Sequence, residues 1–240
     1  MSGLFITGTD TGVGKTVVAA GLTRAYRDMG HRVGVMKPVS SGAIKTPTSG
    51  LECRDTRLLI EASGIQEEVS LINPYCFEEA LAPAAAASLA KIEIEVGKIL
   101  EAYHLLAQGY DPMIVEGVGG LLVPIRKDYL VIDLVRDLNL PLLVVARPGL
   151  GTINHTCLTV KYALKEGIRV VGIIINGLKK AGLAEKTSPA LIEEITGVPI
   201  LGILPYLSDL TVSTVAALLK KTISSLPVIT PQADRLKAEG

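Results

Sequence analysis

Gly8-Thr9-Asp10-Thr11-Gly12-Val13-Gly14-Lys15-Thr16 decides how the rest of this chain is read. An apolar run, Leu4-Phe5-Ile6, leads into it, and a helix-patterned segment, residues 17–29, leads out. An apolar strand, a glycine-rich turn, Gly-Lys-Thr and a helix together describe a phosphate-binding loop. Small residues let backbone N–H groups converge on an anion, and the helix N-terminus adds the positive end of its dipole. In such a loop Lys15 reaches the outer phosphates of a nucleotide and the Thr16 hydroxyl ligates Mg²⁺. The common pattern is G-x-x-x-x-G-K. Here Gly8 and Gly14 enclose five residues, and Thr9 stands where the first glycine is usual, so the loop is a variant.

The 240 residues suit one large α/β domain, and their 48% hydrophobic content supplies a buried parallel sheet and rules out a disordered chain. Basic and acidic residues balance at 24 each, so no global field draws in nucleic acid or an anionic membrane. Cys53, Cys76 and Cys157 form neither a CxxC pair nor a metal-ligand spacing, which is the usage of reduced thiols in a cytosolic protein. No leader peptide is visible before the glycine loop, and the apolar runs fall short of the roughly 18 residues of a membrane span. These features predict a soluble cytoplasmic protein.

Six apolar runs, at residues 4–7, 33–36, 113–115, 142–146, 170–175 and 200–204, are nearly continuous rather than alternating. Strands buried on both faces read this way. Helical spacing marks residues 17–29, 95–108, 154–166 and 188–196 between them. Gly30, Gly109, Gly167 and Gly197 follow these segments, where left-handed C-caps are wanted. Ser188-Pro189 reads as an N-cap with proline in the first turn. Alternating strands and helices predict a P-loop NTPase-type, doubly wound, mainly parallel sheet with helices on both faces. Residues 40–55, rich in Ser, Thr, Gly and Pro, read as a loop over the site, and residues 224–240 as a loosely packed tail.

Ligands of open α/β sheets bind at the carboxyl ends of the strands, and those ends carry the chemistry here. The second run ends in Lys37-Pro38-Val39-Ser40-Ser41-Gly42. A cation there faces the nucleotide phosphates beside Lys15 and stabilises charge on a phosphoryl group or a substrate anion; the plain alternative is a surface lysine leaving a strand. The third run ends in Glu116-Gly117-Val118-Gly119-Gly120, a carboxylate suited to Mg²⁺ followed by glycines that admit phosphate or substrate. Asp55 reads either as a second hard-oxygen ligand or as the cap of a short helix over residues 56–62. Asn154 and the turn at Gly149 and Gly151 open a helix whose N-terminus suits a carboxylate, although Asn154 also reads as a plain cap. Asn176, before Gly177, matches an adenine edge or an ordinary Asn-Gly turn.

Taken together, Gly-Thr-Asp-Thr-x-Val-Gly-Lys-Thr, Lys-Pro-Val-x-Ser-Gly, Val-Glu-Gly-x-Gly-Gly and Gly-x-Ile-Asn-His-Thr, in this order, resemble the dethiobiotin synthetase family. The resemblance runs from Phe5 to about Pro205, and the five-residue glycine spacing is that family's own pattern. It implies an ATP-dependent cyclo-ligase of biotin biosynthesis. One amine of 7,8-diaminononanoate is carboxylated with CO₂, the carbamate is phosphorylated by MgATP, and the second amine closes the ureido ring. It implies that Gly12, Val13, Gly14, Lys15, Thr16 and Val17 hold the phosphates, with Gly117, Val118 and Gly119 alongside. Thr16, Asp55 and Glu116 bind Mg²⁺, while Lys37 and Lys15 act in catalysis. Thr11 and Ser41 face the diamine or carbamate, and Gly151 and Asn154 face the carboxylate tail. Asn176, Pro205, Tyr206 and Leu207 lie at the adenine. It further implies a homodimer with the substrate site at the subunit interface. Gly12 stands where some members carry an acidic residue. Residues 184–187 lack the tyrosine that some members lend to the partner subunit's substrate, which makes Lys186 the candidate for that role.

Two other readings share the loop. An amide synthetase acting on a cobyrinate-like acid normally needs a glutaminase domain, for which the chain leaves little room. A ParA- or MinD-like switch usually carries a lysine early in the glycine loop, and residues 8–13 have none.

Overall fold

The computed structural model describes residues 2–46, 50–180, 182–206, 211–224 and 226. In chain order the elements begin with β1 (Gly3–Gly8), α1 (Lys15–Asp28), β2 (Gly34–Met36), β3 (Val39–Ser41), β4 (Ile44–Thr46), β5 (Gly50–Glu52), α2 (Arg54–Ser63) and α3 (Val69–Ile72). There follow β6 (Tyr75–Phe77), α4 (Pro83–Ala90), α5 (Val96–Gly109), β7 (Met113–Glu116), β8 (Pro124–Arg126), β9 (Tyr129–Leu130) and α6 (Val131–Asp137). The chain continues through β10 (Leu142–Ala146), α7 (Thr152–Lys165), β11 (Val170–Leu178), α8 (Leu183–Thr196), β12 (Ile200–Pro205) and α9 (Val212–Ser224).

The six apolar runs form one six-stranded sheet in the order β12-β11-β10-β1-β7-β2, every neighbouring pair parallel. β1, β7 and β10 are buried at every position, which is why their sequences run apolar instead of alternating. Phe5 pairs in register with Leu142 on one side and Val115 on the other, and Phe5 and Ile6 are wholly buried. Each such side chain contributes about 1.5–3 kcal/mol to the core. Helices surround the sheet. α1 lies so close to α9 that a Cβ on Gly21 would meet Val215 Cγ1 at 2.4 Å.

The topology decides where chemistry can gather. Parallel strands put all their carboxyl ends on one edge, and β1, β7 and β2 are adjacent. The glycine loop after β1, Glu116 at the end of β7 and Lys37 just past β2 therefore converge. β10, β11 and β12 carry Gly151, Asn176 and Pro205 on the other side of β1.

Three local expectations give way. The helix expected at 188–196 starts at Leu183, and Ser188 lies inside it, its hydroxyl donating to Ala184 O at 2.6 Å. The real N-terminal signal is Glu185, whose carboxylate accepts the Gly182 N–H at 2.9 Å, so Pro189 is an interior residue. Gly109 is the last residue of α5 rather than a cap beyond it, whereas Gly30, Gly167 and Gly197 do take positive φ. The expected loop at 40–55 is more ordered than its composition suggests. It holds β3, which pairs in parallel with β6, and the β4–β5 hairpin, then enters α2. Asp55 sits in the first turn of α2, and the N-cap is Cys53. The expected tail lies outside the described residues beyond Ser224, save for Leu226, which is buried.

Candidate active site

A cleft of about 910 Å³ opens over the ends of β1, β7 and β2. Its lining includes Thr11, Gly12, Gly14, Lys15, Thr16 and Val17 from the glycine loop, with Lys37, Ser40 and Ser41 beyond β2. Asp55 comes from α2, and Glu116, Val118 and Gly119 from the end of β7.

The loop is built to face an anion. α1 begins at Lys15 with no side chain capping it, which leaves its first N–H groups pointing into the cleft. Gly14 is left-handed at φ 93° and ψ 32°, and a Cβ there would lie 2.0 Å from Asn176 Nδ2. Asn176, on β11, uses that amide to donate to Val13 O at 3.0 Å and so props the loop from behind. The extra residue in the glycine spacing also has a structural reason. Thr9, one residue past β1, continues its pairing with β10, its N–H donating to Val145 O at 3.0 Å. The tight approach falls at Gly8, where a Cβ would meet Asp10 O at 2.7 Å and Lys15 Nζ at 3.0 Å.

Four charged groups share the floor. Lys37 Nζ donates to Glu116 Oε1 at 2.6 Å, to Asp55 Oδ2 at 3.2 Å and to Gly117 O at 3.2 Å. Thr16 Oγ1 donates to the same Glu116 Oε1 at 2.9 Å. Lys37 is 3% exposed and Glu116 1% exposed, so neither charge is shielded by water. Burial works against the Lys37 ammonium, but Glu116 and Asp55 outweigh it and raise its pKa. Burial also raises the pKa of Glu116, with Lys37 pulling the other way. Lys15, whose Nζ donates to Asp10 O at 3.0 Å, is lowered to about 8 by burial and by the nearby Lys37. Glu116 Oε2 is buried with no hydrogen-bond partner among the described residues. A buried carboxylate oxygen left over, beside the Thr16 hydroxyl and the half-exposed Asp55 carboxylate, is a donor set that fits a hard divalent cation.

The remaining predicted residues lie elsewhere. Val13 is buried behind the loop, and Gly117 sits against the Phe5 ring. Gly151, at φ 88°, is the N-cap of α7, and Asn154 is exposed in its first turn; neither lines the cleft. Pro205 and Tyr206 are exposed at the end of β12, with the Tyr206 N–H donating to Leu178 O at 2.8 Å, and Leu207 lies outside the described residues. Sequence reasoning missed Arg54, Arg57, Leu58 and Glu61, one face of α2 along the cleft. Their three-, four- and seven-residue spacing from Arg54 was the available signal, since Asp55 was already singled out.

Residues 2–214 match the family model described as an AAA domain. The chain is 44% identical over 207 residues to the ATP-dependent dethiobiotin synthetase BioD of Bacillus cereus (strain B4264), covering 86% of this chain and 84% of that protein. It is 42% identical over 225 residues to the protein of the same name from Bacillus subtilis (strain 168), covering 93% and 96%. Among solved structures, the MinC:MinD cell division complex of Aquifex aeolicus superposes with a TM-score of 0.57 at 16% identity, covering 100% of this chain and 97% of that one. MinD of Pyrococcus horikoshii OT3, complexed with Mg-ADP, gives 0.52 at 15%, covering 100% and 99%. Those two likenesses are of fold alone: a P-loop NTPase sheet. With the glycine loop, Lys37 and Glu116 in one cleft and this identity over most of its length, the chain belongs to the family of ATP-dependent dethiobiotin synthetases.

Proposed function

We propose that this chain converts 7,8-diaminononanoate, CO₂ and ATP to dethiobiotin, ADP and phosphate, with the work divided among the residues of the cleft. The observation that carries the reading is the convergence of Lys15, Thr16, Lys37, Asp55 and Glu116 on one floor. A phosphoryl transfer needs positioning and charge neutralisation more than a covalent nucleophile, and two ammonium groups beside an uncapped helix N-terminus supply both.

The substrate's amine first takes up CO₂, forming a C–N bond and losing a proton, to give a carbamate. Lys37, with Thr11 and Ser41 also lining the cleft, holds that anion. A carbamate oxygen attacks the γ-phosphorus in line and ADP leaves. Lys15 and the α1 N–H groups hold the β- and γ-oxygens while the charge shifts onto ADP. The second amine then attacks the carbamoyl carbon, phosphate departs and the ureido ring closes. Thr16, Asp55 and Glu116 would hold Mg²⁺, which when bound neutralises phosphate oxygens; the unpartnered Glu116 Oε2 supports that assignment. Asn176, Pro205, Tyr206 and Leu207 are assigned to the adenine side, and Gly151 and Asn154 to the substrate's carboxylate.

We further read residues 1–240 as one domain, supported by a continuous apolar core, and the protein as a cytoplasmic homodimer. Leu150 and Leu183, 86% and 83% exposed near the start of α7 and α8, support burial by a second copy. Among the described residues no helix is long and apolar enough to cross a membrane.

The test is phosphate release from ATP, Mg²⁺ and bicarbonate with and without 7,8-diaminononanoate. A large rise on adding the diamine, abolished in Lys37→Ala with nucleotide binding retained, is expected. Folded, ATP-binding protein indifferent to the diamine would overturn the reading.

A further inference from the structure

Lys37 stands just past the end of β2, where the six-stranded sheet no longer holds its backbone. Both of its main-chain groups turn to one short segment at the end of α3. Its N–H donates to Ile72 O at 2.8 Å, and its carbonyl accepts from Asn73 Nδ2 at 2.7 Å. Asn73 is 6% exposed. Its second amide hydrogen goes to Tyr75 O at 2.9 Å. Its Oδ1 accepts from Ser40 Oγ at 2.7 Å and from Thr56 Oγ1 at 3.1 Å. A primary amide offers two donors and an oxygen with two lone pairs, and all four are used.

The four partners are not a random selection of core. Lys37 supplies the ammonium between Glu116 and Asp55. Ser40 lines the cleft beside Ser41. Thr56 is buried in the first turn of α2 and adjoins Asp55. One side chain thus ties the lysine, the Ser40–Ser41 wall and the helix that presents Asp55 to a common point, with every bond buried.

We propose that Asn73 is a positioning residue for carbamate phosphorylation: it sets the backbone of Lys37 and holds it in register with Ser40 and Asp55. This rests on the reaction assigned above. The phosphate loop is not among its hydrogen-bond partners, so nucleotide binding is spared when it is lost. A residue serving only stability would lower the melting temperature and leave turnover per nucleotide-binding site unchanged.

Asn73→Asp is nearly isosteric and still accepts from Ser40 and Thr56, but as a carboxylate it has no hydrogen for Lys37 O or Tyr75 O. At a temperature well below unfolding, its kcat for diamine-dependent phosphate release, normalised to sites that bind ADP, is expected to fall about 10- to 100-fold, the scale of a small misplacement of a catalytic group. The ADP Kd is expected to stay within about threefold, a shift worth under 1 kcal/mol. Asn73→Ala is expected to fall at least as far. If Asn73→Asp does not fold, Ser40→Ala and Thr56→Val each remove one of the four bonds. Ser40→Ala is expected to raise the diamine KM, and Thr56→Val the Mg²⁺ concentration for half-maximal rate, each with ADP binding intact. Wild-type kcat in an Asn73→Asp protein that binds ADP overturns the proposal, as does wild-type behaviour of both single-bond variants. A wild-type protein that ignores the diamine overturns the assigned reaction instead, so the two failures are told apart.

Discussion

Gly14→Ala tests whether the phosphate loop is shaped before nucleotide arrives. The residue sits at φ 93°, a region that costs an L-amino acid about 1–2 kcal/mol. The new methyl would lie 2.0 Å from Asn176 Nδ2, a contact no side chain tolerates, so Asn176 must swing away and surrender its 3.0 Å bond to Val13 O. That bond is worth about 1 kcal/mol net. The free protein can relax the loop, but a bound phosphate demands the original geometry, so the cost falls mainly on binding. A total of about 2–3 kcal/mol corresponds to roughly 30- to 150-fold weaker affinity. Calorimetric titration with ADP measures it, and titration with inorganic tripolyphosphate separates the loop from any base contact that Asn176 makes. Combining Gly14→Ala with Asn176→Ala should add little to the tripolyphosphate loss, because the single substitution has already broken the shared bond. Gly14→Ala protein that binds both ligands within about threefold of wild type, at an unchanged melting temperature, would refute the reasoning.

Three further outcomes are expected. Glu116→Gln removes the carboxylate that meets both Lys37 and Thr16, and the Mg²⁺ concentration for half-maximal phosphate release should rise about 10-fold or more; an unchanged metal requirement would remove Glu116 from the ion's ligands. Lys15, lowered from 10.5 to about 8, holds fewer protons folded than unfolded across that window, so the nucleotide-free protein should gain stability as pH rises through it. Phosphate favours the ammonium, so nucleotide binding at pH about 8.5 should take up protons, read from calorimetry in buffers of different ionisation enthalpy and absent in Lys15→Met.

The central sheet could be read from the chain because its inner strands β1, β7 and β10 are buried on both faces and therefore spelled in consecutive apolar residues, as in Leu142–Ala146. The three-residue strands β3 and β6 offer too few positions for any period, and in Pro83–Ala90 five of eight residues are alanine and only Ser88 is polar, which leaves no polar face to reveal a helix. Ser188-Pro189 misled because a strong local signal for a helix start was overridden by Glu185 capping Gly182. At the site, Lys37 and Glu116 were legible because each ends an apolar run at the edge where ligands bind, and Lys15 because it stands in the glycine-loop motif. Asn73 was not. In Leu71-Ile72-Asn73-Pro74 it looks like a turn residue, and Ser40, Thr56 and Lys37 are 33, 17 and 36 residues away. A hydrogen-bonding role made mostly of distant partners, with Tyr75 the one neighbour in sequence, leaves no periodic trace.

The balance of charge around the cleft has a kinetic consequence. Lys15, Lys37, Arg54 and Arg57 are matched by Glu52, Asp55, Glu61 and Glu116, on a chain whose formal net charge is also zero. No long-range attraction then reaches out to a polyanionic nucleotide, and encounters proceed at an unsteered diffusive rate. Discrimination begins only at contact, within the Debye length, where the loop's N–H groups meet phosphate, so background electrolyte changes capture little. Other polyanions, RNA among them, are likewise drawn in by no long-range field.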